Sequence, residues 1–258
     1  MTHQDIDIDF LLSVTRKAGE AIMEVYKKDF AVEYKDDKSP LTEADKLSNA
    51  VINAALLERY AGSNIISEEN KQVPYEVRKY WRSFWLIDPI DGTKEFIKKN
   101  GEFTVNIALV EDGVPTAGFV YAPALDVLYY AVKGDGAYKI MDDRKVKLEP
   151  CPSWRDKAEV RVVASRSHMS PETLDFVKAI ELSGKQIEFI SSGSSLKLCM
   201  VADGTADVYP RFGPTMEWDT GAAHAIALYA GKNVINAETK QPLVYNKENL
   251  LNPSFIVE

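Results

Sequence analysis

The sequence predicts an α+β protein whose first half packs helices on an antiparallel sheet and whose second half alternates strands with helices. Two observations carry this. Two amphipathic helical stretches open the chain and are followed by consecutive β-rich runs punctuated by turn residues, which is the order of an α+β layer arrangement. After Glu149-Pro150-Cys151-Pro152-Ser153, where two prolines and small residues interrupt the pattern, short apolar runs alternate with helical ones. That break divides the chain into an α+β domain over 1–150 and an α/β domain over 151–258.

Asp5 to Lys28 sets Phe10, Leu11, Val14, Ala18, Ala21, Ile22 and Val25 at helical spacing with charges between them, so a long amphipathic helix is expected. Ala31 to Lys35 reads as a short strand and Asp36-Asp37-Lys38-Ser39-Pro40 as a turn. Leu41 to Tyr60 predicts a second helix, with Leu47, Val51, Ile52, Ala55 and Leu56 on one side. Thr42-Glu43-Ala44-Asp45 has the form of a capping box, which makes Thr42 the N-cap and Asp45 a first-turn acid. Asn64-Ile65-Ile66 is a short strand ending in Ser67-Glu68-Glu69, and Ser83 to Ile87 is a buried strand. Phe103 to Glu111, Val114 to Tyr121 and Val127 to Val132 suggest a three-stranded meander, with Gly136-Ala137-Tyr138 as a candidate fourth strand. In the second half, strands are expected at Val160 to Ala164, Ile187 to Ser191 and Ala206 to Tyr209. Helices are expected at Pro171 to Ile180, Ser195 to Ala202 and Glu217 to Tyr229, the last apolar on much of its surface.

At 258 residues the chain can bury a substantial core. It contains no apolar run long enough to cross a bilayer, and Met1 to Asp9 is acidic and polar, unlike a secretory signal, so a cytoplasmic location is expected. Cys151 and Cys199 give no disulfide framework, and His3, His168 and His224 give no zinc spacing. The net charge of −8 argues against polymeric nucleic acid as a partner, since such binding depends on cationic side chains displacing counterions.

The chemistry concentrates in Trp85 to Phe96, an apolar run that ends in Asp88-Pro89-Ile90-Asp91-Gly92-Thr93. Pro89 lacks an N–H and fixes φ, so ladder bonding cannot continue through it and the Ile90 carbonyl becomes available as an oxygen ligand. Asp88 and Asp91 flank it, and carboxylates this close repel unless a cation or proton lies between them. Gly92 lets the backbone approach an anion, and Thr93 to Phe96 reads as a helical first turn whose N–H groups suit phosphate. The same segment also reads as an ordinary strand-turn-helix junction, because Asp-Gly is a common turn and acids favour helix starts. Glu68 stands at another strand end. Asp219 lies in Pro214-Thr215-Met216-Glu217-Trp218-Asp219-Thr220-Gly221-Ala222-Ala223, where it is either a cap or a ligand at the start of a buried helix.

Asp88-Pro-Ile-Asp-Gly-Thr93, preceded by Ser67-Glu68-Glu69 and followed by Glu217-Trp-Asp-Thr-Gly-Ala-Ala223, closely resembles the lithium-sensitive, magnesium-dependent phosphomonoesterases related to inositol monophosphatase. The resemblance covers essentially the whole chain in order. Thr93-Lys94-Glu95-Phe96-Ile97, Gly101-Glu-Phe-Thr-Val-Asn-Ile107 and Val163-Ala-Ser-Arg-Ser-His168 look like the 3′(2′),5′-bisphosphate nucleotidase branch, of the bacterial sulfate-assimilation type.

The resemblance implies a layered αβαβα sugar-phosphatase-like fold. It implies that Glu68, Asp88, Asp91, Asp219 and the Ile90 carbonyl hold two or three Mg²⁺ ions. Thr93, paired with Asp45, would orient and deprotonate the attacking water, and the Gly92 and Thr93 N–H groups would hold the scissile phosphate. His168, Ser194, Lys197 and Arg211 carry over as contacts to the nucleotide and its second phosphate; the alternative for each is a solvated surface residue, and His168 reads equally as one flanking a helix. Tyr209 and Phe212 are either stacking residues for adenine or core. The implied reaction releases the 3′-phosphate of adenosine 3′,5′-bisphosphate to leave AMP, so the partner is a small-molecule substrate. An inositol or sugar monophosphatase and a non-catalytic phospholigand-binding protein are the competing readings. Peripheral association with the inner membrane, and a monomeric or homodimeric state, are left open by the resemblance, and no anchor is visible.

Overall fold

In the computed structural model, which describes residues 1–35, 40–164 and 170–258, the first helix, α1 (Ile8–Tyr26), starts where Asp7 accepts a hydrogen bond from the Phe10 N–H at 3.0 Å. It buries Leu11, Val14, Ala18, Ile22 and Val25, the stripe that the spacing predicts. Strand β1 (Val32–Tyr34) pairs antiparallel with β2 (Pro40–Thr42). Of the turn expected over Asp36 to Pro40, residues 36–39 lie outside the described residues, and Pro40 is the first residue of β2. Helix α2 (Glu43–Arg59) follows Thr42 directly, as its capping sequence predicts.

Next come β3 (Ile65–Ser67), a single turn of helix α3 (Tyr75–Arg78), β4 (Ser83–Asp91), a short helix α4 (Thr93–Ile97), and the strands β5 (Thr104–Glu111), β6 (Val114–Ala122), β7 (Val127–Val132), β8 (Gly136–Met141) and β9 (Arg144–Lys147). They form a seven-stranded sheet in the order β3-β4-β5-β6-β7-β8-β9. Only the β3–β4 pair is parallel. The expected meander is present, and β8 is its fourth strand. The edge strand β9 is an addition: all four of its residues are exposed, so no apolar alternation announces it. Asp142 and Asp143 turn into it with φ of 52° and 56°, as a tight two-residue hairpin requires.

Residues of β4 alternate between the two faces of the sheet. Trp85 and Ile87 join the core formed with α1 and α2, whereas Phe84 and Leu86 join the core on the opposite side. Helices therefore cover both faces, which is why the central strands are buried almost throughout and mostly apolar, with Thr104, Asn106 and Thr116 among the few polar residues inside them.

The second half contains β10 (Glu159–Ala164), α5 (Pro171–Leu182), β11 (Gln186–Ser191), α6 (Leu196–Ala202), β12 (Tyr209–Arg211), α7 (Glu217–Tyr229), β13 (Val234–Asn236) and β14 (Phe255–Val257). β10 and β11 run parallel, and β12-β14-β13 form an antiparallel sheet. The strand expected at Ala206 to Tyr209 is displaced to Tyr209–Arg211, because its ladder partner is Phe255–Val257 at the far end of the chain; Val208 makes only an isolated bridge to Val162. α7 lies on the first half's sheet so closely that a Cβ on Gly118 would stand 2.1 Å from the Ala222 carbonyl oxygen. Ala222 and Ile226 of α7 share one core with Leu86 and Val120 of that sheet. Among the described residues no helix is long and apolar enough to cross a membrane.

Candidate active site

The acids meet where β4 ends, and β4 ends later than its proline suggests. Asp88 pairs with Asn106 and Asp91 with Thr104, so Pro89 and Ile90 bulge out where β5 supplies only Val105. The strand does not stop at Pro89; the bulge absorbs the missing N–H, and Ser48 holds the Pro89 carbonyl at 2.9 Å. Gly92 then takes φ +93°, with its missing Cβ only 3.1 Å from the Glu102 carbonyl oxygen, and turns the chain into α4.

Asp88 is buried. Its Oδ1 accepts from the Ile90 N–H at 3.0 Å, while its Oδ2 has no hydrogen-bond partner. Burial, followed by repulsion from Glu68, Asp91, Asp219 and Asp45, raises its pKa well above the carboxylate range. Asp91 is pushed up to about 6 by burial, against the pull of Lys197 and a hydrogen bond from the Ser195 backbone. Asp219 is raised well above its usual value by burial and by Asp91, although the Met216 N–H donates to its Oδ2 at 2.8 Å. Glu68 reaches the cluster from β3, whose end is fixed by the Glu68 N–H donating to the Ile87 carbonyl at 3.2 Å.

Asp45 divides its two oxygens between two jobs. Oδ2 caps α2 by accepting from both the N–H and the hydroxyl of Thr42 at 2.7 Å, and Oδ1 accepts from the Thr93 hydroxyl at 3.3 Å. The same hydroxyl lies 3.3 Å from the Ile90 carbonyl oxygen. Burial raises the Asp45 pKa, while the Thr42 bonds oppose the shift.

Among the described residues, no three acidic, histidine or cysteine side chains close on one point as they stand. The donors nonetheless fit a hard cation: they are carboxylate and carbonyl oxygens, one of them is buried without a partner, and their negative charges raise one another's pKa. One positive charge already stands among them. Lys35 Nζ lies 2.7 Å from Glu68 Oε1 and 2.5 Å from Glu69 Oε1. Burial works against its charge, but the two glutamates outweigh burial and raise its pKa. Sequence reading missed Lys35, since nothing local ties it to Glu68.

The cleft has two adjoining lobes. One, of about 630 Å³, is lined by Lys35, Glu68, Asp88, Ile90, Thr93 and Trp218; the other, of about 480 Å³, by Ser194, Ser195, Lys197, Tyr209 and Arg211. Asp91, Gly92, Lys94, Glu95 and Asp219 line both. The second lobe is poised for an anion. Ser194 sits at φ +47° with its hydroxyl buried and unbonded, and Arg211 has a buried Nε without a partner. Lys197 donates to the Ser194 carbonyl at 2.8 Å, and burial lowers its pKa to about 8. Ser195 bonds to Asn106 Oδ1 at 2.7 Å and to Thr104 Oγ1 at 2.8 Å, which ties this loop to the sheet beside Asp91. Tyr209 lines the lobe from within the core, edge-on to Phe255 at 5.8 Å, and Phe212 stands 6.3 Å from Phe176. His168 lies outside the described residues. Lys94 and Glu95 line both lobes, a placement that nothing in the local sequence signals.

The model of the family described as the inositol monophosphatase family matches residues 4–255. The 3′(2′),5′-bisphosphate nucleotidase CysQ of Salmonella typhimurium is 44% identical over 252 residues, 97% of this chain and 98% of the relative. That of Escherichia coli K12 is 44% identical over 253 residues, with the same shares covered. The crystal structure of CysQ from Bacteroides thetaiotaomicron, described as a bacterial member of the inositol monophosphatase family, superposes with a TM-score of 0.86 at 44% identity, covering 99% of this chain and 98% of that one.

Proposed function

The chain belongs to the inositol monophosphatase family, and on that premise we propose that it is a Mg²⁺-dependent phosphomonoesterase acting on adenosine 3′,5′-bisphosphate. It removes the 3′-phosphate to leave AMP, with a role in sulfate assimilation. The observation that carries this reading is the cationic second lobe. Lys197 and Arg211 adjoin the carboxylate lobe across Asp91 and Asp219, so a substrate with two phosphates finds a site for each. Arginine's planar fork suits the non-reacting phosphate. An inositol monophosphate would present only hydroxyls to that lobe. The 44% identity to relatives named as bisphosphate nucleotidases supports the same choice.

Glu68, Asp88, Asp91, Asp219 and the Ile90 carbonyl would hold two or three Mg²⁺ ions, which neutralise phosphate charge, ease deprotonation of the attacking water and stabilise the leaving oxygen. The protein's own part is positioning and proton transfer. Thr93, with its hydroxyl proton directed at Asp45, has a lone pair free to accept from water. Asp45, its pKa raised by burial, takes the proton through Thr93. Gly92 and Thr93 N–H groups hold the scissile phosphate. Ser194, Lys197 and Arg211, with His168, bind the nucleotide and its 5′-phosphate.

The reading is tested by incubating the purified protein with adenosine 3′,5′-bisphosphate and Mg²⁺ and identifying the products. Release of phosphate and 5′-AMP, abolished by a chelator, is expected. Adenosine 3′-monophosphate as the product, or no phosphate release, would overturn it.

A further inference from the structure

Glu95 is out of place in a cleft built for phosphates. It is half-buried, lines both lobes, and makes no hydrogen bond or ion pair with its side chain among the described residues. The other acids of the cleft are engaged: Asp45 with Thr42 and Thr93, Asp219 with Met216, Glu68 with Lys35. A carboxylate that shares a lobe with Lys94, Lys197 and Arg211 repels the anions these cations attract, and its side chain has no donor of its own. Its position is also fixed. A Cβ on Gly193 would lie 3.0 Å from Glu95 Cγ and 2.8 Å from the Glu102 carbonyl oxygen, so the absence of a side chain there lets the 193–195 loop close against the Glu95 stem.

At neutral pH a phosphate ester offers little to a carboxylate, whereas the nucleoside offers hydrogen-bond donors. We propose that Glu95 is a specificity determinant that accepts a hydrogen bond from the nucleoside part of the substrate, either the ribose 2′-hydroxyl or the exocyclic amine of adenine. This rests on the nucleotidase reading above. A site with a partly buried acceptor disfavours an analogue that lacks the donor, because the acceptor then goes without its partner.

The test compares kcat/KM for the 3′,5′-bisphosphates of adenosine, 2′-deoxyadenosine and inosine in the wild type, Glu95→Ala and Glu95→Gln, at saturating Mg²⁺. The wild type should prefer adenosine about 10-fold over the analogue lacking the recognised donor, a difference on the scale of one hydrogen bond. Glu95→Ala should bring that ratio close to one, and Glu95→Gln, whose amide oxygen still accepts, should keep part of it. Collapse of the deoxyadenosine ratio assigns the ribose; collapse of the inosine ratio assigns the base. Ratios taken within one preparation do not depend on how much of a variant folds. Unchanged ratios in Glu95→Ala, a wild type that treats all three alike, or an equal loss on all three with a raised Mg²⁺ requirement would each overturn the inference. A wild type that hydrolyses none of them overturns the nucleotidase reading, and this inference with it.

Discussion

Thr93 Oγ1 lies 3.3 Å from Asp45 Oδ1 and 3.3 Å from the Ile90 carbonyl oxygen, so a single hydroxyl joins the start of α2 to the bulge that ends β4. Asp45 can serve it because the capping duty falls on the other carboxylate oxygen. One residue thus carries both a structural and a chemical reading.

If Thr93 relays a proton to Asp45, Thr93→Ala should lower kcat by about 10²-fold or more, the usual scale of general base catalysis, with KM little changed. Thr93→Ser should keep most of the activity. Asp45→Asn should lower kcat similarly, and its Tm should fall only modestly, because an amide oxygen can still cap α2. Steady-state kinetics beside thermal melts separate these effects; a Thr93→Ala enzyme with wild-type kcat contradicts the relay.

The carboxylates around Asp88 repel one another and are held there at a cost. Mg²⁺ should therefore add about 2.7 kcal/mol of stability at a hundredfold excess over its dissociation constant, and so raise Tm. Asp88→Asn removes a buried carboxyl whose ionisation is opposed by burial and by its acidic neighbours, so the metal-free variant should melt higher than the metal-free wild type while losing activity and most of the Mg²⁺ response. Differential scanning fluorimetry with and without chelator decides this. A metal-free variant that melts well below wild type would mean Asp88 is a structural acid.

Arg211→Ala should raise KM for adenosine 3′,5′-bisphosphate about 10- to 100-fold, the range of a lost charge-assisted hydrogen bond, and should affect a simple phosphomonoester far less. Equal losses on both substrates would place Arg211 outside the second phosphate's site.

His224 is buried in α7 against Tyr245, with Nδ1 2.9 Å from the tyrosine hydroxyl, and burial depresses its pKa to about 3. The folded value lies below the unfolded value near 6.5, so its stabilising contribution is complete above about pH 6.5 and is lost as pH falls towards 3. Between pH 7 and pH 5 this one group should cost about 2 kcal/mol. Denaturant melts of wild type and His224→Gln should show a shallower acid loss in the variant; identical slopes would contradict the assignment.

The elements readable from sequence are those whose burial repeats locally. α1 and α2 bury stripes at helical spacing, α7 is buried on nearly every side, and β4 to β7 are mostly apolar because helices cover both faces of their sheet. What sequence does not carry is pairing across distance. β12 is set by Phe255–Val257, the bulge at Pro89 by Asn106 and Thr104, and polar β9 by its neighbour β8. The site divides in the same way. Glu68 and Asp88 stand out because each closes an apolar run and Asp219 because it opens a buried helix, whereas the Lys35 bridge to Glu68 and Glu69 and the unbonded side chain of Glu95 exist only once the chain has folded.

The central claim is that a carboxylate lobe and a cationic lobe together select a doubly phosphorylated nucleotide. The most direct test is kcat/KM for adenosine 3′,5′-bisphosphate against inositol 1-phosphate, measured with Mg²⁺ on one preparation. A preference for the bisphosphate of about 100-fold is predicted, which corresponds to about 2.8 kcal/mol of added transition-state binding from the second phosphate. Equal turnover, or a preference for inositol 1-phosphate, would contradict it.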